Sequence, residues 1–180
     1  SAFFIVLTLL SKNSEITIQN VNINKSRIGL IIILKIMGAK ITFKNKRIYK
    51  GETTADIFVK SSKILKPINC PSSLNSFAID ELLLIFLVAG TKTKGISTFK
   101  KLGELNKKES PRLNIAIKFL RMIGIKVLRN KDDIKIYGKP NLDLKRNFHV
   151  KNFLKDHRIF MMSCIAALTL GGNWKINDKD

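Results

Sequence analysis

Met37-Gly38-Ala39-Lys40-Ile41 and Ile123-Gly124-Ile125-Lys126-Val127 carry one message in two places. In each, an apolar helical run stops, a glycine follows, and an alternating segment begins at once. Glycine takes the left-handed conformation that closes a helix at little cost. Each stretch therefore predicts a helix end, a cap and a strand start. Upstream, the periodicity predicts helices over 27–37 and 111–123. Downstream it predicts strands over 39–43 and 125–128.

The correspondence extends outward from both glycines. An apolar helix over 2–10 and an alternating strand over 15–18 precede the first. A helix from Glu81 to about residue 89 and a strand over 96–99 precede the second. After each, a turn leads to another strand, 55–60 in one case and 133–137 in the other, where Gly138 ends it. A third unit opens after Asp156 with a helix over 158–170, Gly171-Gly172 and a strand over 174–176. The units run at about 1–62, 78–140 and 155–180, the third cut short. Repeats of this kind bury their apolar helices only against their neighbours. A helix as apolar as 28–37 belongs inside a domain. The expected fold is α/β, with repeated βαβαββ units whose helices lie behind mixed sheets. The expected organisation is one partial domain over 1–180. A chain that opens at Ser1 and stops inside a repeat reads as a fragment.

Composition narrows the function. The chain has 180 residues, 45% hydrophobic and 26% charged, which suits a globular protein with a core. Lys and Arg number 33 against 13 Asp and Glu, a formal charge of +20. That predicts anionic partners. They are nucleic acid, or small anionic substrates beneath a solvated lysine surface. The cations are scattered, and Trp174 is the one tryptophan on which a base could stack. Both features weigh against a basic nucleic-acid-binding module. Cys70 and Cys164 form neither a zinc spacing nor a disulfide framework, so reduced thiols in a reducing, cytoplasmic compartment are expected. The apolar opening 2–10 is too short to span a bilayer and has no basic flank before it, so no membrane partner is expected.

Three polar clusters precede apolar helices. Asp80-Glu81 offers an N-cap and a first-turn carboxylate, a sufficient structural account on its own. In Lys107-Lys108-Glu109-Ser110-Pro111-Arg112, Ser110 and Pro111 make a cap and a first helical residue. Arg112 is unexplained by that account, because a cation in the first turn opposes the helix dipole. An anion bound at the same place would account for it. In Lys155-Asp156-His157-Arg158, Asp156 is a candidate cap, Arg158 is again a cation on the wrong end, and His157 is equally at home in a core. Equivalent helix starts in repeated units can meet. Two arginines, a lysine and two carboxylates would then receive a multiply anionic substrate and move protons on it.

Three of these segments resemble the signatures of the 5-enolpyruvylshikimate-3-phosphate synthase family. They are Ile79-Asp80-Glu81, Gly103-Glu104-Leu105-Asn106-Lys107-Lys108-Glu109-Ser110-Pro111-Arg112-Leu113, and Asp156-His157-Arg158-Ile159-Phe160-Met161. The family writes them I-D-E-x-P, E-L-R-x-K-E-S-D-R-L and D-H-R-x-A-M, in this order and spacing. Ser1-Ala2-Phe3-Phe4 resembles the family's S-S-A-x-F hinge, and Arg27, Gly29, Gly38-Ala39 and Ala55-Asp56 also match. The resemblance implies two lobes of such units closing on shikimate 3-phosphate and phosphoenolpyruvate. This chain resembles most of the C-terminal lobe, with the N-terminal lobe of the same chain as its partner. By position, Asp80 would contact the acceptor hydroxyls and take part in proton transfer. Lys108 would hold the phosphorylated acceptor, and Glu109 would be acid and base at the enolpyruvyl methylene. Arg112 and Arg158 would bind phosphoenolpyruvate. The implied reaction adds the acceptor's 5-hydroxyl to the protonated double bond and expels phosphate, in aromatic amino acid biosynthesis. It uses neither metal nor organic cofactor.

Four positions depart from the pattern. Asn106 stands for an arginine, Pro111 for an aspartate, Leu83 for a proline and Phe160 for a small residue. The first two remove charges from the surroundings of Arg112. The related transferase acting on a UDP-sugar is disfavoured by K-E-S-x-R together with D-H-R. A non-catalytic remnant of the fold is the third rival, beside the nucleic-acid module. The fragment by itself is expected not to turn over.

Overall fold

The computed structural model describes residues 1–178. Positions 179 and 180 of the expected third unit lie outside the described residues. The helices are α1 (Ala2–Leu10), α2 (Gly29–Ile36), α3 (Ser72–Phe77), α4 (Leu82–Lys92), α5 (Arg112–Met122) and α6 (His157–Thr169). The strands are β1 (Glu15–Asn22), β2 (Lys40–Tyr49), β3 (Glu52–Lys60), β4 (Asn69–Cys70), β5 (Gly95–Phe99), β6 (Lys126–Asn130), β7 (Asp133–Gly138), β8 (Leu144–Val150) and β9 (Gly171–Ile176).

Sheet order carries the repeat. The first sheet runs β1-β3-β2 and the second β4-β5-β7-β6, so β5-β7-β6 reproduces the first order. Both inner pairings are antiparallel. Two short parallel pairs open the later repeats, β4 with β5 and β8 with β9. Each brackets a buried helix, which is the connection a parallel pair requires. The equivalent helices α1, α4 and α6 pack pairwise against one another. Of these, α4 is buried at every residue from Leu82 to Thr91, as an all-round apolar helix must be. Phe86 on α4 meets Phe99 on β5 edge to face at 4.9 Å between ring centres.

Gly38 and Gly124 both take φ +90°, the backbone that ends α2 and α5 and releases β2 and β6. Other boundaries shift. The first-repeat helix begins at Gly29 rather than 27, because Lys25–Arg27 forms a 3-10 turn. Gly29 lies against the end of α3, where an added Cβ would clash with the Phe77 carbonyl oxygen. Neither backbone can yield locally. Gly29→Ala is therefore expected to cost about 1–3 kcal/mol, read as a lower midpoint in urea unfolding.

Sequence patterning missed β4, α3 and β8. Two residues are too few to show alternation, and Pro71 and the serines of α3 read as loop. In β8, Leu144, Phe148 and Val150 are buried, but three consecutive polar residues interrupt the period and hide it. Phe148 stacks on Trp174 of β9 at 4.5 Å, so the tryptophan is packed against the sheet. Cys70 is buried and Cys164 half-buried, both as free thiols. Burial pushes the Cys70 thiol up to about 11 and keeps it protonated at neutral pH. Among the described residues, no helix is long and apolar enough to cross a membrane.

Candidate active site

The starts of α4, α5 and α6 meet at one place, joined through Arg112 and Asp156. Asp156 caps α6: its Oδ1 accepts from the backbone N–H of Arg158 at 2.9 Å and of Ile159 at 3.4 Å. Its Oδ2 accepts from Ser110 Oγ and from Arg112 Nε, both at 2.8 Å. The residue is 0% exposed. Burial alone would raise its carboxyl, but the hydrogen bonds from Arg112 and Ser110 and the Arg112 charge outweigh it. The carboxyl is held below its usual value.

Arg112 is equally buried, at 2% exposure, and its remaining nitrogens point outward. Nη1 reaches Asp80 Oδ1 at 3.2 Å and Nη2 reaches Glu109 Oε2 at 3.3 Å. Burial opposes its charge, and the Asp156, Glu109 and Asp80 carboxylates more than restore it, so the guanidinium stays firmly protonated. Lys108 Nζ lies 3.7 Å from Asp80 and 3.8 Å from Glu104. His157 Nδ1 lies 3.0 Å from Glu109 Oε2. Arg158 Nη1 lies 3.5 Å from Glu81 Oε1, and its guanidinium stands 5.9 Å above the Phe3 ring. Burial raises the Glu81 carboxyl, with Arg158 opposing.

Asp80, Lys108, Glu109, Arg112 and Arg158 thus stand in one connected region, but several local expectations are corrected. Asp80 is not a helix cap. Glu81 holds that position without a side-chain bond, while Asp80 bridges Lys108 and Arg112. Ser110 is not a cap either. Pro111 occupies the cap position of α5, and the Ser110 hydroxyl turns inward to Asp156. Arg112 needs no external anion to explain its place, since three carboxylates of the chain surround it. Only Asp156 caps as expected. Its larger role escaped the sequence because Arg112 lies 44 residues away. At the departure positions, Asn106 accepts a hydrogen bond from the Asn114 N–H at 3.4 Å, and Leu83 is buried in the core.

Glu109, Asp156 and His157 each place a potential metal-ligand atom within 4.8 Å of the others. Asp156 already accepts four hydrogen bonds, and a cation there would face the Arg112 guanidinium across a short, poorly screened distance. An open cleft of about 580 Å³ adjoins the cluster, lined by Asp80, Glu81 and Arg158 together with Ser1, Phe3 and Arg27.

Helix starts from repeated units thus gather carboxylates and cations at one place. The fold is shared with the enolpyruvyl transferase NikO from Streptomyces tendae at TM-score 0.68 and 13% identity, over 98% of this chain and 37% of that one. The chain belongs to the EPSP synthase (3-phosphoshikimate 1-carboxyvinyltransferase) family, whose family model matches residues 1–180. EPSP synthase from Acinetobacter baumannii superposes at TM-score 0.85 with 34% identity, over 93% of this chain and 38% of that chain. The 3-phosphoshikimate 1-carboxyvinyltransferase of Ruthia magnifica is 39% identical over 184 residues, all of this chain and 40% of the relative. That of Petrotoga mobilis is 36% identical over 168 residues, 93% of this chain and 38% of the relative. The chain spans about two fifths of the length of these relatives.

Proposed function

We propose that the protein containing this chain transfers the enolpyruvyl group of phosphoenolpyruvate to the 5-hydroxyl of shikimate 3-phosphate and releases phosphate. On this reading the chain forms most of the C-terminal lobe and works against an N-terminal lobe of the same protein in the cytoplasm. The carrying observation is the convergence of Asp80, Lys108, Glu109, Arg112 and Arg158 from three helix starts that are distant in sequence.

The chemistry needs a proton delivered to the methylene carbon and taken back from the resulting methyl as phosphate departs, a proton taken from the attacking hydroxyl, and stabilisation of the leaving phosphate. Glu109 supplies the first, with Oε2 held between Arg112 and His157. Asp80 takes the second, held by Lys108 and Arg112. Arg158 meets the phosphate or carboxylate of phosphoenolpyruvate at the cleft, where its guanidinium is only half-buried. Arg112 joins it by exchanging an exposed partner, Asp80 or Glu109, for the substrate, while Asp156 keeps hold of Nε. These preformed charges lower the barrier because they need not reorganise.

The test is phosphate release by the full-length protein. Release that requires both substrates is the expected result. A well-folded protein that releases none, yet binds a random RNA with steep salt dependence, would replace this reading with the polyanion-binding one.

A further inference from the structure

Among the described residues, each charged side chain that lines the cleft has a partner except that of Arg27. Asp80 faces Lys108 and Arg112, and Glu81 faces Arg158. Arg27 lines the same cleft from the 3-10 turn before α2. Its backbone N–H closes that turn on the Asn24 carbonyl at 2.8 Å, so the residue is anchored through its main chain. Its side chain is exposed, and among the described residues the guanidinium has neither a hydrogen-bond nor an ion-pair partner. Ser1, Asn22, Ser26 and Ser76 add hydroxyl and amide groups to the same walls.

From this arrangement we infer that Arg27 is a further substrate-binding residue, contacting a phosphate or carboxylate group of an anion held in the cleft beside Arg158. The charge balance favours this. Asp80 and Glu81 offset the cations that pair with them, which leaves Arg27 as the uncompensated positive side chain lining the cleft among the described residues. A guanidinium also matches a phosphate or carboxylate edge with two parallel hydrogen bonds. The inference rests on the enolpyruvyl-transfer reading for the identity of the anions, though not for the presence of a clamp.

The experiment compares full-length wild type with Arg27→Ala and Arg27→Lys, by turnover and by calorimetric titration with phosphoenolpyruvate and with shikimate 3-phosphate. Arg47→Ala removes the same charge from the β2–β3 hairpin, at a position that does not line the cleft, and controls for the general positive field. Arg27→Ala is expected to weaken one of the two anions about tenfold to a hundredfold, the loss of one charge-assisted contact. The corresponding KM rises, kcat changes little, and Arg27→Lys recovers part of the loss. Unchanged affinities for both anions, or an equal loss in Arg47→Ala, overturn the clamp while leaving the transfer reading intact. Wild type that binds an anion in an Arg27-dependent way but releases no phosphate sustains the clamp and overturns the transfer reading. Wild type that binds neither anion overturns both.

Discussion

Asp156→Ala should destabilise this protein by about 3–5 kcal/mol, the range for breaking a buried ion pair on one side only. The substitution strips a buried guanidinium of its Nε partner and leaves the Ser110 hydroxyl and two N-terminal amides of α6 unsatisfied. Asp80→Ala removes another carboxylate from the same guanidinium, yet it should cost less than about 1 kcal/mol, because that side chain is 46% exposed and water can replace it. Urea unfolding of the two variants separates the cases. Equal losses would mean that Asp156 is only a helix cap and not the hub of the cluster. The pH dependence follows with a definite sign. The folded carboxyl lies below the ordinary aspartate value, so its contribution is complete above the unfolded value. The contribution disappears as pH falls through the depressed folded value, and Asp156→Asn should lose this part of the acid sensitivity.

The same network changes how an arginine variant is read. Arg112→Ala would leave Asp156 buried without its main counter-charge, so weaker phosphoenolpyruvate binding in that variant would be mixed with unfolding. Arg158→Ala is the cleaner probe, since its guanidinium is half-buried and its acidic partner lies at 3.5 Å.

Much of the fold was legible because its signals are local. A glycine at φ +90° after an apolar run, followed at once by alternation, marks α2–β2 and α5–β6 without reference to anything distant. The apolarity of α4 announces burial by itself. What stayed hidden depends on partners far along the chain. The strand β8 is stabilised by pairing with β9 across α6, although its own polar run breaks the alternation. Ser110 has every local qualification of a cap, but a buried carboxylate 46 residues away claims its hydroxyl. Helix-dipole reasoning marked Arg112 as anomalous and asked for an anion. The nearest answer was three carboxylates of the chain itself, two of them supplied by other helix starts. Arg27 matched the family pattern in the sequence, but only the folded cleft shows that its side chain has no partner among the described residues.

Glu109→Gln in the full-length protein should lower kcat by about 10²–10⁴-fold, the usual contribution of a positioned acid or base. The amide keeps the size and planarity of the carboxyl but has no proton of suitable acidity to give to a carbon. Folding should survive, because the Glu109 side chain is 53% exposed and its contacts are at the rim of the cluster. Positioning enters through two neighbours of opposite character. Arg112 is locked by Asp156 and fixes one side of Oε2, whereas His157 reaches the other side from an exposed position. His157→Ala should therefore cost much less than Glu109→Gln, and the ratio of the two kcat values measures how far the carboxyl itself carries the proton. A Glu109→Gln enzyme within tenfold of wild type would move the proton donor elsewhere. Asp80 would then be the next candidate, because it lines the cleft and shares the Arg112 guanidinium.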